Sequence, residues 1–157
     1  GTRILSQPIK GTSQRVIGDK EKDELSKDEL MHSIKDRSEN VMVVDLVRND
    51  LSKLCKEGTV VVDELYGIYS FPQVHQMIST VSGELKDNIS FREIITATFP
   101  MGSMTGAPKK RVMELIEQYE KTKRGIFSGA LGYISPDGDF DFNVVIRRLG
   151  VTLYSFW

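Results

Sequence analysis

A glycine-rich turn that leads into an amphipathic helix constrains this chain more than any other feature. It occupies residues 99–120 and reads FPMGSMTGAPKKRVMELIEQYE. Gly102 and Gly106 allow turn conformations that are closed to most residues. Ser103 and Thr105 add hydroxyl groups beside them. The pattern predicts a helix N-terminus whose free backbone N–H groups can hold an anion.

The helix after this turn carries apolar residues on one face. Pro108 suits the first helical turn, where its missing N–H costs nothing. Apolar side chains then follow at positions i, i+3, i+4 and i+7, namely Val112, Leu115, Ile116 and Tyr119. This spacing predicts one buried stripe and a helix whose N-terminus stays presented.

Two capping-box patterns predict further helix starts. The polar residues 13–27 predict a mobile loop followed by a solvated helix start. Ser26 stands three residues before Glu29, which predicts a helix that starts there and runs towards Glu39. Helical spacing of valine and leucine continues to Cys55, and Gly58 is predicted to end that helix. Ser90 and Glu93 have the same spacing before a short helix that ends near Phe99.

The remaining segments predict strands. Residues 1–12 indicate a strand that turns at Pro8, and β-branched and aromatic residues predict two more strands at residues 59–71 and 74–85. Residues 126–149 predict a hairpin around the turn Pro136-Asp137-Gly138-Asp139, with Phe140, Phe142, Val144 and Ile146 on one face. This order favours an α+β domain with a largely antiparallel sheet and packed helices.

Composition narrows the class of function. The 157 residues suffice for about one domain, and 21 basic residues balance 22 acidic ones. Nothing suggests a nucleic acid partner or an anionic membrane surface, so a small diffusible substrate fits better. The sequence has one cysteine, no apolar run of membrane-spanning length and no signal peptide, from which we expect a cytoplasmic protein.

Five ordered segments resemble one enzyme family. The string F-P-x-G-S-x-T-G-A-P-K-x-R-x-M-E resembles the signature of the chorismate-utilising enzymes, which include anthranilate, aminodeoxychorismate, isochorismate and salicylate synthases. Four more segments match in order, PIKGT at 8–12, KDRSENVMVVDLVRND at 35–50, VHQMISTV at 74–81 and GALGY at 129–133. The resemblance implies the same α+β fold class.

The resemblance covers the middle and later part of such a catalytic domain. We therefore expect residues 1–157 to be a partial chorismate-binding domain. The family's general-acid motif S-P-E-x-F would precede Gly1, and its metal-ligand motif E-Y-x-E would follow the last residue. A chain without these motifs is expected to bind chorismate weakly and to be inactive alone.

Lys10 discriminates best among the family members. The aminodeoxychorismate synthases have lysine in P-I-K-G-T, whereas anthranilate synthases have alanine at that position. The resemblance implies that a neutral Lys10 amine attacks C2 of chorismate and expels the C4 hydroxyl, after which ammonia enters at C4 and releases the lysine. Because lysine ordinarily has a pKa of about 10.4, such an amine requires a dry pocket or neighbouring positive charge.

The resemblance assigns the other site residues. Glu39 matches a Mg²⁺ ligand, and a carboxylate oxygen suits that hard cation. The substrate pocket is expected to include Gly102, Ser103, Thr105 and Gly106. Tyr133 and Arg147 match positions that grip the enolpyruvyl carboxylate in relatives, a task for which a guanidinium fork is suited.

Two residues are predicted to be structural. His75 is offset by one position from the histidine of anthranilate synthases, which aligns with Gln76, and on a strand this offset reverses the face. A satisfied structural histidine is therefore the expectation. No metal-ligand spacing surrounds Cys55, which we interpret as a core or helix-face thiol.

The leading hypothesis is the aminodeoxychorismate-forming branch of the family. It implies chorismate as substrate, Mg²⁺ as cofactor and ammonia delivered by a glutamine amidotransferase subunit, on the path to p-aminobenzoate and folate. Anthranilate synthase component I is the first alternative. A non-catalytic remnant or interaction module with the same fold is the second.

Overall fold

The computed structural model of the chain describes residues 1–146. Its six strands are β1 (Arg3–Ser6), β2 (Ile9–Gln14), β3 (Val61–Ser70), β4 (Val74–Glu84), β5 (Ala130–Ile134) and β6 (Phe140–Val144). Its five helices are α1 (Lys20–His32), α2 (Ile34–Leu54), α3 (Phe91–Thr98), α4 (Gly102–Thr105) and α5 (Lys109–Tyr119).

Strand β4 is the centre of the main sheet. It pairs antiparallel with β3 along one side, and with β1 and then β2 along the other. Strands β5 and β6 form a separate antiparallel hairpin. The predicted α+β class with largely antiparallel pairing is confirmed, as are the two long strands and the hairpin.

The core lies between the sheet and α2. This helix buries aliphatic side chains at helical spacing, among them Val43, Val47, Leu51 and Leu54. They pack with Val81 of β4 and with Ile4 and Ile94. Because α2 has 21 residues, it spans the sheet and continues beyond the core to the site described below.

The predicted helix start at Ser26 is wrong. Helix α1 already begins at Lys20, where the Asp19 carboxylate accepts the Lys22 N–H, so Ser26 lies inside the helix. Its hydroxyl donates instead to the Gln14 carbonyl of β2. The break before α2 falls at Ser33, whose hydroxyl accepts the Asp36 N–H at 3.3 Å.

The end of α2 also differs from its prediction. The helix ends at Leu54 and Cys55 caps it, three residues before Gly58. Leaving the helix there brings Cys55 into an isolated bridge with Leu85, beside β4.

Two local predictions are confirmed. At the start of α3, Ser90 and Glu93 form the expected capping box. On the β5–β6 hairpin, Phe140 and Phe142 share the inner face and meet Phe91, with ring centroids 5.4–5.9 Å apart. These rings attach the hairpin to α3.

The segment after Phe99 departs from the predicted turn and helix. A single helical turn, α4, begins at Gly102, and Pro108 precedes α5 rather than lying within it. None of the residues of α5 is fully buried, and Tyr119 is 70% exposed. The predicted stripe is only half-buried at Val112, Leu115 and Ile116, because α5 packs mainly on the short α4 within residues 1–146. Within the same range, no helix combines the length and apolarity that a bilayer span requires.

Candidate functional site

Lys10 and Glu39 lie side by side although 28 residues separate them in the sequence. The Lys10 Nζ is 3.9 Å from the Glu39 Oε2, and the two side chains are 31% and 43% exposed. Lys10 belongs to a β-bulge, because Ile9 and Thr12 face Ile78 and Gln76 of β4 with one extra residue between them. A bulge re-aims side chains locally, and here it places Lys10 next to α2.

A glycine brings β2 close to α2 at this point. Gly11 has φ +97°, and a Cβ on it would lie 2.9 Å from the Cβ of Asp36. No other residue type satisfies both the backbone conformation and the contact without strain. The P-I-K-G-T segment therefore uses its glycine to bring Lys10 within reach of the first turns of α2.

The residues on either side of Glu39 anchor α2 to the sheet. Arg37 stacks its guanidinium over the Tyr66 ring, 4.6 Å from the centroid. Asn40 is fully buried, and its Oδ1 accepts a hydrogen bond of 2.5 Å from the Ser79 hydroxyl. The Ser79 Oγ in turn accepts the Tyr66 N–H at 3.0 Å. This network fixes the helical turn that presents Glu39.

A cleft of about 320 Å³ opens between the β1–β2 link, α2, the turn after α3 and the hairpin. Gly102 and Ser103 line it, together with apolar side chains such as Leu5, Val47 and Phe142. A mostly apolar cleft with a few polar groups suits a small organic ligand. Lys10 follows Ile9, which lines the cleft, but Lys10 itself points to Glu39.

Two backbone N–H groups of the turn predicted to hold an anion are already bonded within the turn. The Met104 N–H donates to Met101 and the Gly106 N–H donates to Gly102, so both groups are used within α4. The Thr105 hydroxyl donates to the Met101 carbonyl at 3.3 Å. Of the four predicted pocket residues in this turn, the structure thus places Gly102 and Ser103 in the cleft, whereas Thr105 and Gly106 shape the turn.

Tyr133 lies apart from the cleft. It is 64% exposed on β5 and faces Asp141 in the pairing of the hairpin, on the side opposite the phenylalanine rings. Arg147, its predicted companion, lies outside the described residues. The dry pocket expected around Lys10 when substrate is bound stays a prediction, and without substrate the lysine side chain keeps 31% of its surface exposed.

Glu39 fits Mg²⁺ as a single ligand. Its carboxylate is accessible to solvent. Its distance of 3.9 Å from the Lys10 Nζ is too long for a hydrogen bond, so the carboxylate oxygens remain available to a metal ion. Mg²⁺ usually binds one or two carboxylates and retains several waters. Residues 1–146 contain no cluster of three or more potential metal ligands. This part of the chain therefore offers one donor rather than a complete metal site.

His75 is structural, as predicted. It is buried, its Nδ1 is 2.8 Å from the Ser70 Oγ, and its Nε2 is 3.1 Å from Asp23. Arg15 binds the same carboxylate through Nε, and this hydrogen bond, with help from His75, lowers the pKa of Asp23 to about 2. The cluster ties α1 to the sheet.

Cys55 is also a core thiol, as predicted. It is buried in the main core cluster, and this burial raises its pKa.

One carboxylate in the cleft, which the sequence predicts to be a scaffold residue without a chemical step, is buried. Asp50 lines the cleft from α2, and its side chain is only 8% exposed. Its oxygens contact the ammonium groups of Lys109 and Lys53. Asp50 and Lys109 both lie in segments that resemble the enzyme family, but nothing in either segment alone shows that they meet.

Comparison with known proteins matches this chain to one enzyme family. Residues 1–154 match the family described as chorismate binding enzyme. The chain is 48% identical to the aminodeoxychorismate synthase of Streptomyces pristinaespiralis, covering 94% of this chain and 20% of that protein. It is 43% identical to aminodeoxychorismate synthase component 1 of Bacillus subtilis strain 168, covering 97% of this chain and 32% of that protein.

A solved structure has the same fold. Anthranilate synthase component I from Streptococcus pneumoniae TIGR4 superposes with a TM-score of 0.79 at 32% identity. The match covers 93% of this chain and 31% of that one. The chain therefore spans about a third or less of the length of these relatives.

Proposed function

This chain belongs to the chorismate binding enzyme family, and from that premise we propose that it forms part of an aminodeoxychorismate synthase component 1. The reaction would convert chorismate and ammonia to 4-amino-4-deoxychorismate. The observation that carries the proposal is Lys10, held beside Glu39 by the bulge and the glycine of β2. Relatives named for this activity share 43–48% identity with the chain.

Lys10 is the nucleophile in the proposed mechanism. Its amine forms a bond to C2 of chorismate, the ring double bonds shift, and the C4–oxygen bond breaks. The departing hydroxyl leaves as water, taking up one proton. Ammonia then attacks C4, the double bonds shift back, and the bond between Lys10 and C2 breaks. The proton balance requires Lys10 to be a neutral amine at the moment of attack.

Glu39 has two roles in this proposal. Before substrate binds, its carboxylate attracts the Lys10 ammonium and keeps the side chain directed at α2. It is also the residue of this chain that would hold Mg²⁺. When bound, that ion would supply a positive charge for the ring carboxylate of chorismate.

The turn at the cleft would bind the substrate. Gly102 brings backbone close to the cleft without a side chain, and Ser103 offers a hydroxyl there. The apolar lining would contact the ring of chorismate, whereas its two carboxylates would need positive charge from outside this lining, such as the Mg²⁺ that Glu39 would hold. Ammonia would come from a glutamine amidotransferase partner, in keeping with the designation component 1 in the relatives.

Anthranilate synthase component I is the second candidate. The superposition on the Streptococcus pneumoniae enzyme favours it as far as fold is concerned. Lys10 argues against it, because ammonia would then attack C2 directly and the reaction would include no step in which a lysine acts as nucleophile. Overall identity does not separate the two candidates, because the chain is 44% identical to the anthranilate synthase component 1 of Mycolicibacterium smegmatis and 43–48% identical to the two aminodeoxychorismate synthases.

Intact-protein mass spectrometry tests the nucleophile directly. The full chain is incubated with chorismate and Mg²⁺ without ammonia, and the expected adduct has the mass of chorismate minus one water. Lys10→Ala should abolish it. Lys20→Ala is the matched control, because Lys20 is an exposed lysine on α1, and it should retain the adduct.

Products are then identified after ammonium is added. Formation of 4-amino-4-deoxychorismate, or an adduct mapped to Lys10, supports the proposal. Anthranilate would establish the second candidate instead. Chorismate binding without adduct or product agrees with the expected inactivity of a partial domain, and the same assay on the full-length protein then separates an enzyme fragment from a non-catalytic module of the same fold.

A further inference from the structure

An ion pair at the cleft joins α2 to the start of α5. The Oδ2 of Asp50 accepts a hydrogen bond of 2.5 Å from Nζ of Lys109, which lies 59 residues away in the sequence. The two side chains are only 8% and 18% exposed. Lys53 also contacts Asp50, at 3.1 Å, but it is 53% exposed and sits on the same helix. The link between the two helices therefore depends on Lys109.

A second contact lies one helical turn earlier on α2. Leu46 precedes Asp50 by four residues, so the two side chains share a face. A Cβ on Gly102 would lie 2.8 Å from the Leu46 Cβ, which leaves room for glycine alone. The backbone of α4 thus rests on Leu46, while the residue that begins α5 is tied to Asp50. These two points fix the segment between them.

We propose that Asp50 and Lys109 are positioning residues for the substrate site of this family member. Their ion pair holds residues 102–109 against α2, so that Gly102 and Ser103 line the cleft. Removing Asp50 leaves the Lys109 ammonium without this partner, and removing Lys109 leaves Asp50 paired only with the more exposed Lys53, so either change weakens the hold on the segment. The identity of the ligand rests on the proposed function, whereas the mechanical role of the pair does not.

The test compares substitutions at both ends of the pair in the full chain. Asp50→Asn and Lys109→Met remove one charge each, and Lys109→Arg keeps it. Asp45→Asn is the matched control, because Asp45 pairs with Arg48 on the same helix but both side chains are more than half exposed. Amide hydrogen exchange of residues 99–109 reports the segment, and calorimetry with chorismate reports the site.

We expect exchange of residues 99–109 to accelerate by about tenfold or more in Asp50→Asn and Lys109→Met, and chorismate Kd to rise by a similar factor, as for a loss of about 1.4 kcal/mol. Lys109→Arg and Asp45→Asn should remain near the unsubstituted chain in both measurements.

Three results would overturn the proposal. Unchanged exchange in Asp50→Asn and Lys109→Met would show that the pair does not hold the segment. Faster exchange with an unchanged Kd would show that the pair is structural only. If the unsubstituted chain binds no chorismate, the proposed function fails, and Asp50 and Lys109 cannot position a chorismate site. The exchange data then decide only whether the ion pair holds residues 102–109 against α2.

Discussion

Removing the buried amide of Asn40 should destabilise the chain measurably. Asn40 follows Glu39 on α2, is fully buried, and accepts the Ser79 hydroxyl at 2.5 Å. Its Nδ2 also lies 3.5 Å from the Met77 carbonyl, at the limit of a hydrogen bond. Asn40→Ala therefore leaves one buried hydroxyl without its acceptor.

The expected magnitude follows from these contacts. A buried donor left without a partner costs about 1–3 kcal/mol. Alanine returns about 0.5 kcal/mol through its higher helix propensity. The net loss in the free energy of unfolding is then about 1.5 kcal/mol, or a fall in Tm of about 3–6 °C for a chain of this size.

Asn49→Ala provides the matched control. Asn49 is exposed on the same helix, so the substitution keeps the propensity gain and removes no buried partner. Urea unfolding followed by circular dichroism should separate the two variants by about 2 kcal/mol in free energy at constant m. Equal stability of Asn40→Ala and Asn49→Ala would refute the reasoning.

A double-mutant cycle tests the pairing itself. Ser79→Ala removes the hydroxyl that Asn40 binds, so that in the double variant no hydroxyl is left without an acceptor. The two substitutions should therefore cost less together than the sum of their separate costs, with a coupling of about 0.5–3 kcal/mol. Additive costs would show that the hydrogen bond contributes little.

Three further outcomes are expected. Because its partners lower the pKa of Asp23 from 3.8 to about 2, its carboxylate stabilises the fold fully above pH 3.8, and this contribution is lost as the pH falls through about 2. Urea unfolding should therefore show that the difference in the free energy of unfolding between the unsubstituted chain and Asp23→Asn shrinks as the pH falls over that range. Gly102→Ala should cost about 1–3 kcal/mol by overpacking against Leu46, and Leu46→Ala should relieve part of that cost in the double variant. Iodoacetamide should alkylate Cys55 slowly in the native chain and rapidly in urea, since the thiol is buried and its pKa is raised.

Local patterns in the sequence predicted the features that depend on neighbouring residues. The capping box at Ser90 and the inner face of the hairpin were correct, because each depends on residues close together in the chain. The same capping rule failed at Ser26, where the spacing recurs inside a helix. Asp19 caps that helix instead, and Ser26 bonds to β2.

Packing decided the features that neighbouring residues could not. The stripe on α5 has the correct helical spacing, yet it stays partly exposed because α5 packs mainly on α4 in the described part of the chain. Helical periodicity shows which face is apolar, but the burial of that face depends on what the rest of the fold places against it.

The sequence by itself determined the fold class through its helix and strand patterns, and its motifs carried the family resemblance that implies the site residues. Only the tertiary structure decided which of them meet. The bulge and Gly11 bring Lys10 to Glu39, and Asp50 reaches Lys109 across 59 residues. Such contacts arise when a sheet and a long helix pack together, because packing joins segments whose separation along the chain carries no local signal.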